Sequence, residues 1–282
     1  MIRELCQPDI NFSKLLKKQT PLGSFCRRLQ RDLRSQINDQ YLEMAYQPKM
    51  NRAEMLDSME ALVRWQHPSI GNIPPCIFVN IAETDDLILV LGCWINQRCM
   101  KDINIFKESG MPQIQVAINI SPIQLQDKYF FQDFHDSLKK HSISPQQIEL
   151  EITESQRLHL TDEILAGIKQ LSSQGVSIAV DDFGMGYTSL RYLKSFNVDT
   201  IKLDGSIVSD VATSNVAQEI IRSLSSLTQS MDSKLVAEWV ENEDQFKMLI
   251  SLGCNQFQGA YFSMPIKREE LIEFWKKQQP NK

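Results

Sequence analysis

The sequence predicts an α/β fold, a barrel in which eight strands alternate with helices. Eight short runs of β-branched and apolar residues recur along the chain, with amphipathic helical segments between them. The length of 282 residues suits one barrel of this kind. An open doubly wound sheet is the second choice, because no glycine-rich G-x-G-x-x-G turn follows an early strand.

The composition is that of an ordinary globular protein, with 42% hydrophobic and 23% charged residues. The net charge of −5 argues against a DNA or RNA duplex as partner, because duplex binding needs a basic face. An anionic substrate stays open, since bound cations would reverse the local charge.

The location predicted from the sequence is cytoplasmic. The longest apolar run, residues 87–95, is too short to span a bilayer, and charged residues interrupt the N-terminal segment. None of the six cysteines forms a C-x-x-C pair, so we expect buried, reduced thiols in a reducing compartment.

The elements follow in order along the chain. Residues 1–24 show little periodicity and are predicted to be a leader or linker, which assigns residues 25–282 to the folded domain. The first long helix is predicted to begin near Phe25, with one apolar face formed by Cys26, Leu29, Leu33 and Ile37. The predicted strands are Leu42–Tyr46, Met59–Val63, Ile114–Ile120, Ile148–Ile152, Val176–Val180, Thr200–Leu203, Leu235–Ala237 and Asn255–Gln258.

Six oxygen-bearing side chains lie at or beside the ends of these strands: Glu60, Asn119, Glu151, Asp181, Asp182 and Glu238. One acidic residue at a strand end is ordinarily a solvated residue or a helix cap. Several on separate strands of one barrel would converge at the mouth formed by the carboxyl ends. Carboxylates gathered there repel one another unless cations lie between them, and such oxygen-rich sites suit Mg²⁺ or Mn²⁺.

Two basic residues accompany this set. Lys202 interrupts the apolar run Thr200–Leu203, so it either meets the carboxylates inside the barrel or faces outward between helices. Arg64 follows Glu60 by four residues, which puts both on one face of an extended strand. It is either a phosphate-binding fork or a structural partner of Glu60. The adjacent Asp181 and Asp182 are expected to serve two neighbouring cations, with capping of the next turn as the alternative for Asp182.

Other chemistries find no support. His67, His135, His141 and His159 lack the spacing of a histidine metal site. The chain also has no G-x-S-x-G elbow and no Walker loop, which leaves serine-triad and nucleoside-triphosphate chemistry without a motif.

An ordered set of motifs from about Leu29 to Phe274 resembles the EAL domains, the bacterial phosphodiesterases of cyclic di-GMP. The motifs include residues 46–48 (YQP), 60–68 (EALVRWQHP), 117–121 (AINIS), 149–155 (ELEITES), 181–184 (DDFG), 202–204 (KLD), 237–238 (AE) and 258–259 (QG). A lone E-A-L tripeptide is uninformative, but this order of segments is specific.

The resemblance implies a modified TIM (β/α)₈ barrel whose first strand is antiparallel to the others. It also implies metal-dependent hydrolysis of cyclic di-GMP to linear pGpG, with water activated by two Mg²⁺ or Mn²⁺ ions. In this family Ca²⁺ occupies the sites without supporting hydrolysis. A homodimer is implied as well, coupled to the metal site through the loop after the paired aspartates.

Carried over position by position, the resemblance makes Glu60, Asn119, Glu151, Asp181, Asp182 and Glu238 the metal ligands. Glu238 also holds the attacking water, Lys202 lies near that water, and Glu60, Lys202 and Glu238 form the catalytic set. Gln47 and Arg64 match substrate-contacting positions, Gln258 matches a supporting position at the substrate site, and Glu154 matches the glutamate that anchors the loop.

The chain departs from the family's usual residues at several places. Trp239 stands where glycine is usual, Gly205 where arginine is common, and Met185 where threonine is usual. Trp239 and Met185 bear on rate, loop ordering and dimer coupling more than on the basic chemistry. The alternatives are a receptor that binds cyclic di-GMP without turnover, a protein-interaction module, and a barrel enzyme of the metal-enolate type.

Overall fold

The computed structural model describes residues 1–7, 10–111, 114–153, 159–183 and 193–279. These residues form two compact units. The first comprises residues 1–45 and 63–99, and the second comprises residues 46–62 and 100–282. Two strands and one long helix contribute residues to both units.

The first unit consists of helices, one short strand and parts of two longer strands. Its elements are α1 (Ile2–Leu5), α2 (Phe12–Leu15), α3 (Pro21–Gln36), the start of β1 (Leu42–Asn51), the end of β2 (Leu56–His67), β3 (Gly71–Ile73), α4 (Pro75–Ala82) and the start of α5 (Leu87–Glu108). Trp65 lies fully buried at its centre. The indole donates to Gln36 Oε1 at 2.8 Å and meets the Phe78 ring edge to face. This pairing satisfies the one polar atom of a large apolar ring.

Helix α3 begins earlier than the sequence predicts. Thr20 caps its N-terminus by accepting from the Gly23 amide, and Pro21 occupies the first helical position, where a missing N–H costs nothing. Of the predicted apolar face, Cys26, Leu29 and Leu33 are fully buried, whereas Ile37 follows the last helical residue and is half-buried. The separation of residues 1–24 from residues 25–282 stays a prediction, and α1 and α2 lie within the shorter segment.

The second unit contains a closed barrel of eight strands. Besides the inner parts of β1 and β2, its strands are β4 (Gln115–Ile120), β5 (Ile148–Thr153), β6 (Ser177–Phe183), β7 (Thr200–Leu203), β8 (Lys234–Ala237) and β9 (Gln256–Phe257). The strand order is β1-β9-β8-β7-β6-β5-β4-β2, and pairing of β1 with β2 closes the ring. Strands β2 and β4 to β9 are parallel neighbours, whereas β1 pairs antiparallel with β9. The predicted barrel with an antiparallel first strand is confirmed.

Helices connect the strands of the second unit. They are the rest of α5, α6 (Pro122–Leu125), α7 (Phe130–His141), α8 (Asp162–Ser173), α9 (Gly205–Ser209), α10 (Asn215–Ser230), α11 (Glu243–Ser251) and α12 (Arg268–Gln278), with a short strand β10 (Ile266–Lys267) before α12. Side chains cap several of them, as Thr161 does for α8 and Asp204 for α9. These caps fix where each loop at the barrel mouth becomes helix.

The structure tests two further expectations, on membrane-spanning helices and on the cysteines. Within the described ranges, no helix combines the length and the apolar character needed to cross a bilayer. Cys26, Cys99 and Cys254 are buried as expected, but Cys6, Cys76 and Cys93 are exposed. The prediction that all the thiols are buried is therefore wrong for these three, because they lie on element surfaces that the apolar pattern did not separate from the core.

Candidate metal centre

The ammonium group of Lys202 lies among four carboxylates inside the barrel. Its Nζ is 2.7 Å from Glu151, 2.8 Å from Glu238, 3.1 Å from Asp181 and 3.7 Å from Glu60. The side chain is 1% exposed. Of the two orientations open to Lys202, the inward one is correct, because period-two alternation of β7 turns this position to the barrel interior.

Parallel pairing places the first ligand candidates beside one another. Asn119 on β4 lies opposite Glu151 on β5 in the strand register. The Asn119 amide donates to Glu60 Oε1 at 2.6 Å. Three neighbouring strands thus deliver three oxygen-bearing side chains to one region, as the sequence predicted.

A β-bulge presents the paired aspartates. The register between β6 and β7 shifts between Val180 and Phe183, so Asp181 and Asp182 lie in the irregular stretch. Asp182 has a φ of 54°, in the left-handed region. Ligand atoms of Asp181, Asp182 and Glu238 all lie within 4.8 Å of one another. The bulge thus aims two adjacent side chains at one place, which a regular strand would direct to opposite faces.

Two glutamines extend the site toward β1. Gln258 donates through Nε2 to Glu60 Oε2 at 2.7 Å and to Gln47 Oε1 at 3.0 Å. Gln47 donates in turn to the carbonyl of Ser263 at 3.2 Å. Among the described atoms, Gln258 Oε1 is buried without a hydrogen-bond partner. A buried acceptor of this kind is costly unless a further group binds there.

Sequence reasoning missed Lys49 and one of its two partners, Glu149. Lys49 on β1 is fully buried and donates to Glu149 at 2.8 Å and to Glu151 at 2.7 Å. Thr200 donates to the other oxygen of Glu149 at 2.6 Å. The available signal was a lysine two positions after Gln47 in a strand, because both then face the barrel interior.

Burial and charge set the pKa values of this cluster. Burial raises the pKa of Glu238 to about 8, against the pull of Lys202. Burial, together with the adjacent Asp181, raises the pKa of Asp182 to about 6. Burial acts in the same direction on Glu151, but the ammonium groups of Lys202 and Lys49 outweigh it and lower that pKa to about 2. Burial opposes the charged form of Lys202, yet the carboxylates raise its pKa well above the usual value.

The donor set fits divalent cations. Six carboxylates, those of Glu60, Glu149, Glu151, Asp181, Asp182 and Glu238, lie with the two ammonium groups of Lys49 and Lys202. Four formal negative charges are then unbalanced, which is the charge of two divalent ions. The ligand atoms are all oxygens, as hard cations prefer. Burial raises the pKa values of Glu238 and Asp182, and the neighbouring carboxylates add to this effect.

Two further predicted site residues are Arg64 and Glu154. Arg64 belongs to the first unit, where its guanidinium donates to the carbonyl of Val63 at 3.0 Å. Its substrate-contacting role stays a prediction. Glu154 lies outside the described residues, as does Met185 in the loop after the aspartates.

Comparison with known proteins agrees with this architecture. The family model described as the EAL domain matches residues 30–265. The chain is 33% identical over 246 residues to the bifunctional diguanylate cyclase/cyclic di-GMP phosphodiesterase MucR of Pseudomonas aeruginosa. That match covers 87% of this chain and 36% of MucR. The chain spans about a third of the length of the first curated relatives it matches.

Solved structures give the same result. The PaMucR phosphodiesterase in complex with c-di-GMP superposes with a TM-score of 0.81 at 33% identity, over 86% of this chain and 99% of that one. The manganese/cy-diGMP complex of Klebsiella pneumoniae BlrP1 superposes with a TM-score of 0.70 at 28% identity, over 81% and 57% of the two chains. A (β/α)₈ barrel with an oxygen-lined mouth is thus the class of protein defined here. The chain belongs to the EAL-domain family.

Proposed function

We propose that this chain hydrolyses cyclic di-GMP to linear pGpG with two Mg²⁺ or Mn²⁺ ions. The observation that carries the proposal is the convergence on Lys202 of four carboxylates delivered by four different strands, those of Glu60, Glu151, Asp181 and Glu238. The relatives indicate the substrate: MucR is a bifunctional diguanylate cyclase/cyclic di-GMP phosphodiesterase, and the PaMucR and BlrP1 structures are complexes with this dinucleotide.

The residues present would hold the cations through Glu60, Asn119, Glu151, Asp181, Asp182 and Glu238. When bound, two divalent cations would supply a water activated near neutral pH and neutralise the charge of the phosphoryl oxygens. The manganese in the BlrP1 complex supports this choice of ion. Because all six side chains offer oxygen atoms, the set discriminates against ions that prefer sulfur or imidazole.

Each remaining residue of the site has a role set by its contacts. Lys202 stays protonated among the carboxylates, so it stabilises negative charge on the reacting phosphate. Gln258 fixes Glu60 and Gln47 with one amide group, which orients a metal ligand and a substrate-binding side chain together. Lys49 holds Glu151 from the side opposite Lys202. The barrel thus restrains the ligand carboxylates before any substrate enters.

A homodimer and a cytoplasmic location belong to the same proposal. The resemblance supports the dimer, and size-exclusion chromatography with light scattering tests it at several protein concentrations. A concentration-independent monomer mass would contradict it. Arg64 is proposed as a phosphate contact, because a guanidinium binds phosphate oxygens through two parallel hydrogen bonds.

The deciding experiment is chromatographic analysis of the product formed by purified chain with Mn²⁺. The native chain is expected to release pGpG, and Glu238→Ala is expected to lose turnover far more than affinity. Glu241→Ala is the matched control, because Glu241 is an exposed acidic residue three positions on. Binding of cyclic di-GMP in Ca²⁺ without any pGpG release in Mn²⁺ would identify a receptor instead.

A further inference from the structure

Trp239 is an exposed aromatic residue at the mouth of the barrel. It follows Glu238 directly and comes two positions after the last residue of β8. Its side chain is 66% exposed, and its φ of 57° lies in the left-handed region. A large ring ordinarily gains stability by burial, and a residue with a Cβ ordinarily avoids this backbone conformation. Stability of the fold explains neither feature.

The backbone conformation of Trp239 is imposed by its neighbours. The backbone amide of Gln258 donates to the backbone carbonyl of Ala237 at 2.9 Å. The backbone carbonyl of Gln258 accepts from the backbone amide of Val240 at 3.1 Å. Gly259 then packs so closely that a Cβ there would lie 2.2 Å from the Val240 carbonyl oxygen. Both flanks of Trp239 are therefore fixed by the segment after β9. Strain held in this way at a functional site points to a use for the side chain.

Gly205 provides the space in which the indole lies. A Cβ built on Gly205 would lie 2.6 Å from Trp239 Cδ1 and 2.7 Å from its Cγ. These separations are far below van der Waals contact, so every other residue at 205 would displace the ring. Gly205 opens α9 two positions after the end of β7. The ring and the glycine thus lie together on adjacent loops at the carboxyl ends of β7 and β8.

We infer that Trp239 is a substrate-binding residue whose exposed indole face stacks on a purine base of the dinucleotide. The inference rests on the proposed function, which brings the phosphate to Asp181, Asp182 and Glu238. The indole is attached to the residue next to Glu238, so a base linked to that phosphate lies within reach of the ring. Purine bases stack on indole with little demand on orientation. Gly205 is the positioning residue that lets the ring lie over this loop.

The test measures binding of cyclic di-GMP by calorimetry in Ca²⁺ and steady-state turnover in Mn²⁺, using the full chain. The variants are Trp239→Gly, Trp239→Phe, Gly205→Ala and the double variant Gly205→Ala/Trp239→Gly. Trp239→Gly is expected to fold normally, because glycine adopts a φ of 57° without strain. It should raise Kd and KM about tenfold, in the range of base–aromatic stacking, with little change in kcat.

Two further readouts separate stacking from a purely structural role. Trp239→Phe should keep most of the native affinity that Trp239→Gly loses, since a phenyl ring also stacks on a base. Gly205→Ala should weaken binding in the native background and have no effect in the Trp239→Gly background. Indole emission should fall on binding in the native chain and fall much less in Trp239→Phe, because the other tryptophans are common to both.

Several results would overturn the inference. A Kd for Trp239→Gly within twofold of native would do so while leaving the proposed function intact. An equal effect of Gly205→Ala in both backgrounds, or a change of oligomeric state rather than of affinity in Trp239→Gly, would assign the residue to packing or to a protein interface. A native chain that neither binds nor hydrolyses the dinucleotide would overturn both proposals together.

Discussion

Lys49 and Glu151 form a fully buried ion pair, with 2.7 Å between Nζ and Oε1 and neither side chain exposed. The opposite oxygen of Glu151 accepts from Lys202 at the same distance. Glu151 therefore lies between two ammonium groups, one from the antiparallel strand β1 and one from β7. This arrangement fixes a ligand carboxylate in both position and charge.

Lys49→Met is expected to destabilise the chain by about 3–5 kcal/mol, because it leaves Glu149 and Glu151 buried with less compensation. Turnover should also fall, since Glu151 loses one of its two restraints. Urea unfolding gives the free energy and product release gives the rate. Lys276→Met is the matched control, because its pair with Glu273 is exposed and contributes about 0–1 kcal/mol. Equal effects of the two substitutions would contradict this account.

Thr200→Val removes the hydroxyl that donates to Glu149 and keeps the volume of the side chain. We expect a loss of about 1–3 kcal/mol, the cost of an unmade hydrogen bond to a buried charge. Its effect on turnover should be much smaller than that of Lys49→Met, because Thr200 contacts Glu149 and not Glu151. Thr228→Val serves as control, since among the described residues that buried hydroxyl donates to the neutral carbonyl of Ser225 and to no carboxylate. Thermal and urea unfolding should rank Thr200→Val as the more destabilising of the two.

The free energy of unfolding of the metal-free chain, kept in EDTA, should fall as pH rises from about 5 to 8. Folding raises the pKa of Glu238 to about 8 and that of Asp182 to about 6, so the folded state holds protons that the unfolded state releases. Proton binding by these two carboxyl groups stabilises the fold fully at pH values below their pKa in the unfolded state. This stabilisation is lost as pH rises through their pKa in the folded state. Glu151 acts in the opposite sense, but only in strongly acidic solution.

Thermal unfolding in EDTA at several pH values, for the native chain and for Glu238→Gln, measures the difference due to this carboxyl. Added Mn²⁺ should raise Tm most at the alkaline end, because cations replace the protons. A native chain whose Tm falls no more than that of Glu238→Gln over this range would refute the assignment.

Gly259→Ala should disturb the segment that carries Glu238. The new Cβ would lie 2.2 Å from the carbonyl oxygen and 2.3 Å from the amide nitrogen of Val240, neither of which can move without breaking backbone hydrogen bonds. Overpacking of this kind costs about 1–3 kcal/mol. Turnover should fall with it, and Tm and rate report the two effects. Ala260→Ser, at the exposed neighbouring position, should leave both unchanged.

Much of the barrel follows from local patterns in the chain. Each of the eight predicted strands overlaps a barrel strand, and Thr200–Leu203 matches in full. The pattern failed for β3 and β10, because three and two residues are too few to show a period. The loop anchor Glu154 lies outside the described residues, so that part of the predicted site stays a prediction.

Only part of the candidate site could be predicted from the sequence. The sequence predicted one group of six oxygen-bearing side chains, because residues at parallel strand ends share one mouth. They are Glu60, Asn119, Glu151, Asp181, Asp182 and Glu238. The sequence did not indicate Lys49, whose partner Glu149 is 100 residues away and meets it only when β1 closes the barrel. The sequence also did not indicate the contact between Gly205 and Trp239. The space for the indole ring depends on how the loops after β7 and β8 lie beside each other in the fold.

The sequence by itself determined the eight barrel strands and the oxygen ligands that their ends carry. These features depend on alternation and spacing within a few residues. Tertiary structure alone decided that Lys202 meets four carboxylates, that a bulge turns Asp181 and Asp182 toward Glu238, and that Trp239 lies over Gly205. The physical reason is that barrel closure and strand register join positions far apart in the chain, and local alternation does not encode those distances.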